Sequence, residues 1–166
     1  LTAPGVTQTA LTDKVIDICE ERGDALGIID IENVFTPQHE STDSYTTRLG
    51  SVKDAVSNLK DRQINSSYGA TYYPWTQIKD SINGNLLYSP PSVIALGAMG
   101  SSEAASELWF APAGFNRGGL STGKAGLAVT NVTEKVNSKD RDKLYEANIN
   151  PIASFPNEGI VIFGQK

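Results

Sequence analysis

Thirteen consecutive residues without a charge, Asn65 to Gln77, run into Ile78 as Asn-Ser-Ser-Tyr-Gly-Ala-Thr-Tyr-Tyr-Pro-Trp-Thr-Gln-Ile. In an extended strand successive side chains point to opposite faces. Tyr68, Ala70 and Tyr72 would then share one face, and Thr71, Tyr73 and Trp75 the other. A strand with one wet face alternates apolar with charged residues, whereas a strand covered on both sides can do without charge. The run therefore predicts a central strand over residues 68–78 in a sheet packed on both faces. Pro74 has no N–H to give to a ladder, so regular pairing should weaken there and Trp75 should sit where the strand leaves the sheet.

The flanking sequence supplies elements to cover such a strand. Val15, Ile16, Ile18 and Cys19 form a helical stripe, Asp13 suits a first turn and Gly23 a stop, predicting a helix over 11–22. Ala25 to Ile31 has the length and β-branched content of a buried strand. Residues 33–47 are polar, include Pro37 and His39, and read as a surface connection. After Ser51, a good N-cap, Val52, Ala55, Val56 and Leu59 recur at helical spacing, predicting a helix over 51–62. Strand, helix and strand in this order form a crossover unit with two parallel strands.

Further on, Asn83-Gly84 marks a turn before a short returning strand over 86–88. Pro90-Pro91-Ser92 leads into a short buried helix over 93–99. The stretch 108–117, Leu-Trp-Phe-Ala-Pro-Ala-Gly-Phe-Asn-Arg, reads as a loop held by burial of Trp109, Phe110 or Phe115. Residues 125–132 are a candidate strand, and 133–138 look exposed. Ser138 is placed as the cap of a helix over 139–147, with Leu144, Ala147 and Tyr145 facing inward. Residues 149–155 and 160–163 read as a hairpin through Pro156-Asn157-Glu158-Gly159. These elements give a single mixed α/β (α+β) domain over 1–166, with a sheet of about four to six strands flanked by helices.

Composition narrows the function. With 166 residues the chain can bury roughly 70% of its unfolded surface. A net charge of −5 offers no basic field for phosphates, which argues against nucleic-acid binding. Cys19 is the sole cysteine, so no internal disulfide is possible, and no apolar run reaches bilayer-spanning length.

Gly118-Gly-Leu-Ser-Thr-Gly123-Lys124 has the spacing of a phosphate-binding loop, but Ala125 replaces the Mg²⁺-binding hydroxyl and a Pro/Gly stretch precedes it in place of a buried strand. The alternative is a flexible surface loop. Cys19 and His39 are single and no carboxylates have calcium-loop spacing, so no metal or cofactor is expected. Asp30/Glu32 are expected to end a strand and Asp140/Asp142 to occupy a solvated helix start. The sole base for a Ser/His/Asp triad is His39, in a polar loop, so no catalytic residue is assigned. Asn65-Ser-Ser and Asn131-Val-Thr match a glycosylation pattern, which is without meaning unless the chain is secreted.

Several of these stretches resemble the tail sheath proteins of contractile bacteriophages, T-even-type myoviruses in particular, and of related injection systems. Ser66-Ser-Tyr-Gly-Ala-Thr-Tyr-Tyr-Pro-Trp75 is similar to the family's Ser-Ser-Tyr-x-Ala-x-Tyr-Tyr-Pro-Trp. Cys19-Glu-Glu-Arg-Gly-Asp24 with Ile28-Ile-Asp30, Pro90-Pro-Ser92, and Trp109 with Ala111-Pro-Ala-Gly114 follow it in order. So do Leu144-Tyr145, Ile149-Asn-Pro-Ile152, Phe155-Pro156, Gly159 and Gly164-Gln-Lys166. After Pro-Pro-Ser the family continues Gly-x-x-Ala-Gly toward an arginine and an aspartate, where this chain has Leu96-Gly-Ala-Met-Gly100.

The resemblance implies a non-enzymatic structural subunit of the virion, assembled in the host cytoplasm. It would be stacked as hexameric rings around a tail tube protein, meet baseplate and tail terminator proteins, and contract to drive the tube through the host envelope for genome delivery. It also implies that 1–166 is a piece of a longer sheath protein lacking the terminal arms that join neighbours, hence folded but monomeric or weakly associated. The two other functions weighed are a nucleotide-binding enzyme using 118–124 and a receptor- or glycan-binding module with an aromatic-lined pocket.

Overall fold

The computed structural model describes residues 1–38, 40–123 and 125–166. Its order is α1 (Thr9–Arg22), β1 (Gly27–Ile29), α2 (Tyr45–Arg48), α3 (Val52–Lys60), β2 (Gly69–Tyr73), β3 (Thr76–Lys79), β4 (Leu86–Ser89), α4 (Pro91–Ala105), α5 (Gly114–Arg117), β5 (Val129–Val132), α6 (Ser138–Glu146), β6 (Asn150–Phe155) and β7 (Gly159–Ile162). A mixed four-stranded sheet runs β1-β2-β6-β7, with β1 and β6 parallel to β2 and β7 antiparallel to β6. An antiparallel three-stranded sheet runs β4-β3-β5. The α/β class and the parallel β1/β2 pair are as expected, but the strands divide between two sheets.

Pro74 makes that division. The uncharged run is not one strand over 68–78: it breaks after Tyr73, before a cis Tyr73–Pro74 bond, and resumes at Thr76 in the other sheet. Without an N–H the proline cannot extend the parallel ladder. Trp75 sits at the exit, where its indole Nε1–H donates to the Ile31 carbonyl at 3.0 Å.

The alternation in β2 sends its two tyrosines into two separate cores. Tyr72, with Ala70, packs among Ile28, Ile94, Ala98, Leu120 and Ile152 under α4, while Tyr73 packs among Ile31, Val52, Leu144, Ile149 and Ala153 under α3 and α6. Both are nearly or fully buried, at 4% and 0% exposure. Completely burying a side chain of this size contributes roughly 1.5–3 kcal/mol, so β2 anchors both faces at once.

Helix ends follow local chemistry. Ser51 and Asp54 form a reciprocal capping box on α3, and Gly23 ends α1 in the left-handed region at φ 71°. Asn137 caps α6 by accepting from the Asp140 N–H, so the cap lies one residue before the expected Ser138. Helix α4 runs well past the predicted 93–99, to Ala105, with Pro91 in its first turn. Gly97 lets it approach the 125–126 segment so closely that an added Cβ would lie 1.9 Å from the Ala125 carbonyl oxygen.

Three burial expectations fail. Tyr145 is 45% exposed, because α6 turns Leu144 and Ala147 inward; Val136, inside the supposedly exposed 133–138, fills the core beside Tyr73. In 108–117, Trp109 is 78% exposed and Phe110 and Phe115 are also on the surface. Burial of these aromatics does not hold that segment. Of the candidate strand over 125–132, the last four residues form β5.

Candidate functional site

The Gly-rich stretch does not have the geometry of a phosphate cradle. Such a loop works by pointing free backbone N–H groups at the phosphates from the start of a helix. Here the Gly118 N–H donates to the Gly114 carbonyl and the Leu120 N–H to the Ile160 carbonyl, both at 2.8 Å. Gly118 O accepts from Ile162 N–H, Gly119 bridges to Val161, and Ser121 Oγ accepts from Ile160 N–H at 2.8 Å. Residues 118–121 thus run along the outer edge of β7, and Leu120 is fully buried. This strip replaces the first part of the expected surface loop, while Ser121 and Thr122 are exposed in a turn. Lys124 and His39 lie outside the described residues, and with them the loop's lysine and the triad base.

Buried polar ties join the sequence motifs to one another. Asp30, just past β1 and 1% exposed, accepts from Gly5 N–H at 2.8 Å, Ser92 N–H at 2.9 Å and Ser92 Oγ–H at 2.7 Å. More than ending a strand, it fastens the start of α4 and the amino-terminal segment to the sheet. Asn150, fully buried, donates through Nδ2 to the Thr71 and Lys166 carbonyls and accepts the Lys166 N–H at 2.7 Å. The Ile-Asn-Pro-Ile and Gly-Gln-Lys stretches are therefore a single structural unit.

On the other face Tyr73 Oη donates to Glu134 Oε2 at 2.6 Å. Burial, followed by this bond and the nearby carboxylates of Glu134 and Asp54, holds the Tyr73 phenol far above its ordinary range. Burial also raises the Glu134 carboxyl, with repulsion from Asp140 and Asp54 adding to it, while the Tyr73 bond pulls the other way. Burial alone pushes Tyr72 up to about 12. Arg62, following α3, ties Thr12 and Asp13 of α1. The carboxylate pair Asp140/Asp142 does mark a helix start, where Asp140 meets Lys143 at 3.6 Å.

Two of the clefts among the described residues bear on a binding site. The larger, about 540 Å³, lies between α1, α3 and the end of α6, lined by Ile16, Ile29, Leu59, Thr71, Ala147 and Lys166 among others, with no aromatic side chain. The smaller, about 210 Å³, has Phe35, Trp75 and Tyr88 in its wall. It is aromatic-lined as a sugar site would be, but the Trp75 N–H is already spent on Ile31. Among the described residues no group of three or more His, Cys, Asp or Glu is gathered as a metal site, and no helix is long and apolar enough to cross a membrane.

The most distinctive surface is aromatic and cationic. Phe115, Phe155 and Phe163 form a three-ring cluster with centroids 5.0–5.5 Å apart, and the Arg141 guanidinium lies 5.2 and 5.4 Å from the Phe155 and Phe163 rings. Beside it Arg117 sits 4.1 Å from the Phe110 ring, which neighbours Trp109. Each guanidinium is drawn to its ring by the ring quadrupole. Sequence reasoning misses this face by placing Trp109, Phe110 or Phe115 in the interior and Phe155 and Phe163 simply in strands.

No family model matches the chain. It is 28% identical to the tail sheath protein of Enterobacteria phage T4 over 123 residues, covering 74% of this chain and 17% of that protein. It is 30% identical to the tail sheath protein of Vibrio phage KVP40 over 87 residues, covering 52% and 12%. The chain thus spans less than a fifth of either relative's length. Its fold matches a chain of the anti-feeding prophage helical sheath in the contracted state with a TM-score of 0.61 at 20% identity, covering 100% of this chain and 39% of that one. A chain of the anti-feeding prophage baseplate matches at 0.59, also 20% identical, over 95% and 34%. In sequence the chain is tail sheath-like, being similar to the tail sheath proteins of two phages, and in fold it is similar to a chain of a helical sheath.

Proposed function

We propose that the chain is a structural segment of a contractile tail sheath subunit, one α/β domain of a longer polypeptide. Copies polymerise helically around a tail tube in the virion and shorten together to drive the tube through the host envelope. Similarity to a tail sheath protein across 74% of the chain carries this reading. The fold is suited to it: two cores hung on one strand, with buried polar ties at Asp30 and Asn150, make a body that can move as a unit while its contacts with neighbours rearrange. Such a machine draws its work from a metastable assembled lattice and needs no nucleotide. The N–H groups of Gly118 and Leu120 are in keeping with this, being paired within the protein.

Stacked hexameric rings, assembly in the host cytoplasm, and contacts with baseplate and tail terminator proteins belong to the same proposal. Immunogold labelling of the contractile particles with antibody raised against residues 1–166 is the test. Gold distributed along the tail wall, following it as it shortens, is the expected result; label confined to fibres or capsid would sink the proposal.

A further inference from the structure

The exposed aromatic and arginine face lies at one edge of the four-stranded sheet, and a surface of complementary chemistry lies at the other. Phe163 follows β7, Phe155 ends β6, and Phe115 on α5 stacks on both. At the opposite edge α1 stands over β1, with Val15 and Cys19 against Gly27. The outward side of α1 exposes Leu11 and Ile18 together with Asp17, Glu20 and Glu21; its exposed cations are Lys14 and Arg22, the latter paired with Asp24, and Leu1 and Leu26 are exposed nearby. One edge therefore offers apolar rings with two arginines that have no carboxylate partner among the described residues. The other offers apolar side chains with three carboxylates against one cation, Lys14, that is unpaired among the described residues.

We propose that these two surfaces meet between copies of the chain, the β7-edge face of one docking on α1 of the next. Because the surfaces differ and sit on opposite edges, the contact is heterologous, and repeating it yields a closed ring or an open helix rather than a dimer. Charge argues for a second copy as the occupant: the chain is acidic overall, at −5, and α1 concentrates carboxylates where a cationic aromatic face finds both apolar cover and opposite charge. Aromatic and arginine side chains are the types that dominate interface energetics. The inference rests on the sheath reading and adds to it the surfaces through which copies join.

The experiment is site-directed cross-linking of the 166-residue chain at high concentration. Trp109→Cys and Glu21→Cys variants, both at exposed positions, are mixed under mild oxidation; native Cys19 is fully buried. Heterodimer is expected in excess of either homodimer and of a control pair with Ile82→Cys, on the exposed hairpin tip. Adding Arg117→Glu and Arg141→Glu to the Trp109→Cys chain should lower its yield about tenfold, since like charges then face each other. Asp17→Lys and Glu20→Lys on the partner should restore it.

Yields no better than the Ile82 control, Trp109 homodimers in equal yield, or indifference to charge reversal would each overturn the inference. Indifference is also what results if another part of the same polypeptide covers the face. The sheath reading is judged separately: tubes of the longer polypeptide that survive Arg117→Glu/Arg141→Glu would remove this interface and leave that reading standing, whereas tail particles that carry no label in their wall would remove the reading itself.

Discussion

Replacing Asp30 with alanine should be among the most damaging single changes outside the apolar cores. The carboxylate is 1% exposed and takes three donors, the backbone N–H of surface-exposed Gly5 and both the N–H and the hydroxyl of fully buried Ser92. Truncation removes three bonds to a carboxylate, each contributing about 1.5–3 kcal/mol net, but water can take up the N–H of exposed Gly5 while the two Ser92 donors stay buried. The expected loss is about 3–5 kcal/mol, in the range for stranding buried partners of a charged group.

Graded variants separate this account from simple loss of volume. Asp30→Asn keeps the shape, but its amide must turn a donor toward either the Gly5 or the Ser92 N–H, so about 2–3 kcal/mol is expected. Ser92→Ala removes one bond, for about 1–2 kcal/mol. Asp24→Ala, at a surface pair with Arg22, should stay within about 0.5 kcal/mol. Urea unfolding monitored by circular dichroism gives the free energies, and amide exchange at Ser92 and Gly5 reports whether those protons lose protection. A cost below about 1 kcal/mol for Asp30→Ala, or an Asp30→Asn chain as stable as the parent, would refute the reasoning.

Three further outcomes are expected. Tyr72→Ala should cost about 3–5 kcal/mol in thermal melts, since it empties a nearly buried site under α4, and a change below about 1 kcal/mol would undo the two-faced strand. Gly97→Ala should destabilise by at least about 1–3 kcal/mol, although alanine is the better helix former, because its methyl meets the Ala125 carbonyl backbone; a more stable variant would show that the contact can relax. Burial raises the Glu134 carboxyl above its unfolded value of 4.5, so the folded state favours the protonated form and binds more protons in that window. The stability this contributes is present below pH 4.5 and lost as pH rises through the higher folded value. Parent minus Glu134→Gln stability, followed across a pH series, should fall over that interval and level off above it, and a difference that grew with pH would contradict the sign.

Sequence periodicity read the cores well and the surfaces poorly, for physical reasons. Alternation in β2 and the 3.6-residue stripe of α3 are imposed by which side chains must leave water, so Tyr72, Tyr73, Val52 and Ala55 were placed from the chain alone. The break at Pro74 was legible as weakened pairing, but not as a change of sheet, because the partners that receive β3 lie in β4 and β5. Aromatic content ordinarily signals burial, which puts Trp109, Phe110 or Phe115 in the interior. The contrary signal was Arg117 close by in sequence and Arg141 far from it, and only the fold brings both to the rings. Asp30 was read as a strand end because nothing local announces that Ser92, 62 residues on, brings its N–H and hydroxyl there.

Electron microscopy of the proposed longer sheath polypeptide carrying residues 1–166, purified without nucleotide, decides whether this chain builds a sheath. Tubes or stacked rings of uniform diameter are predicted, with a density in each subunit that accepts the β1-β2-β6-β7 sheet and its flanking helices as one body. A polypeptide that folds yet stays dispersed at every concentration, or that assembles only when ATP or GTP is added, would contradict it.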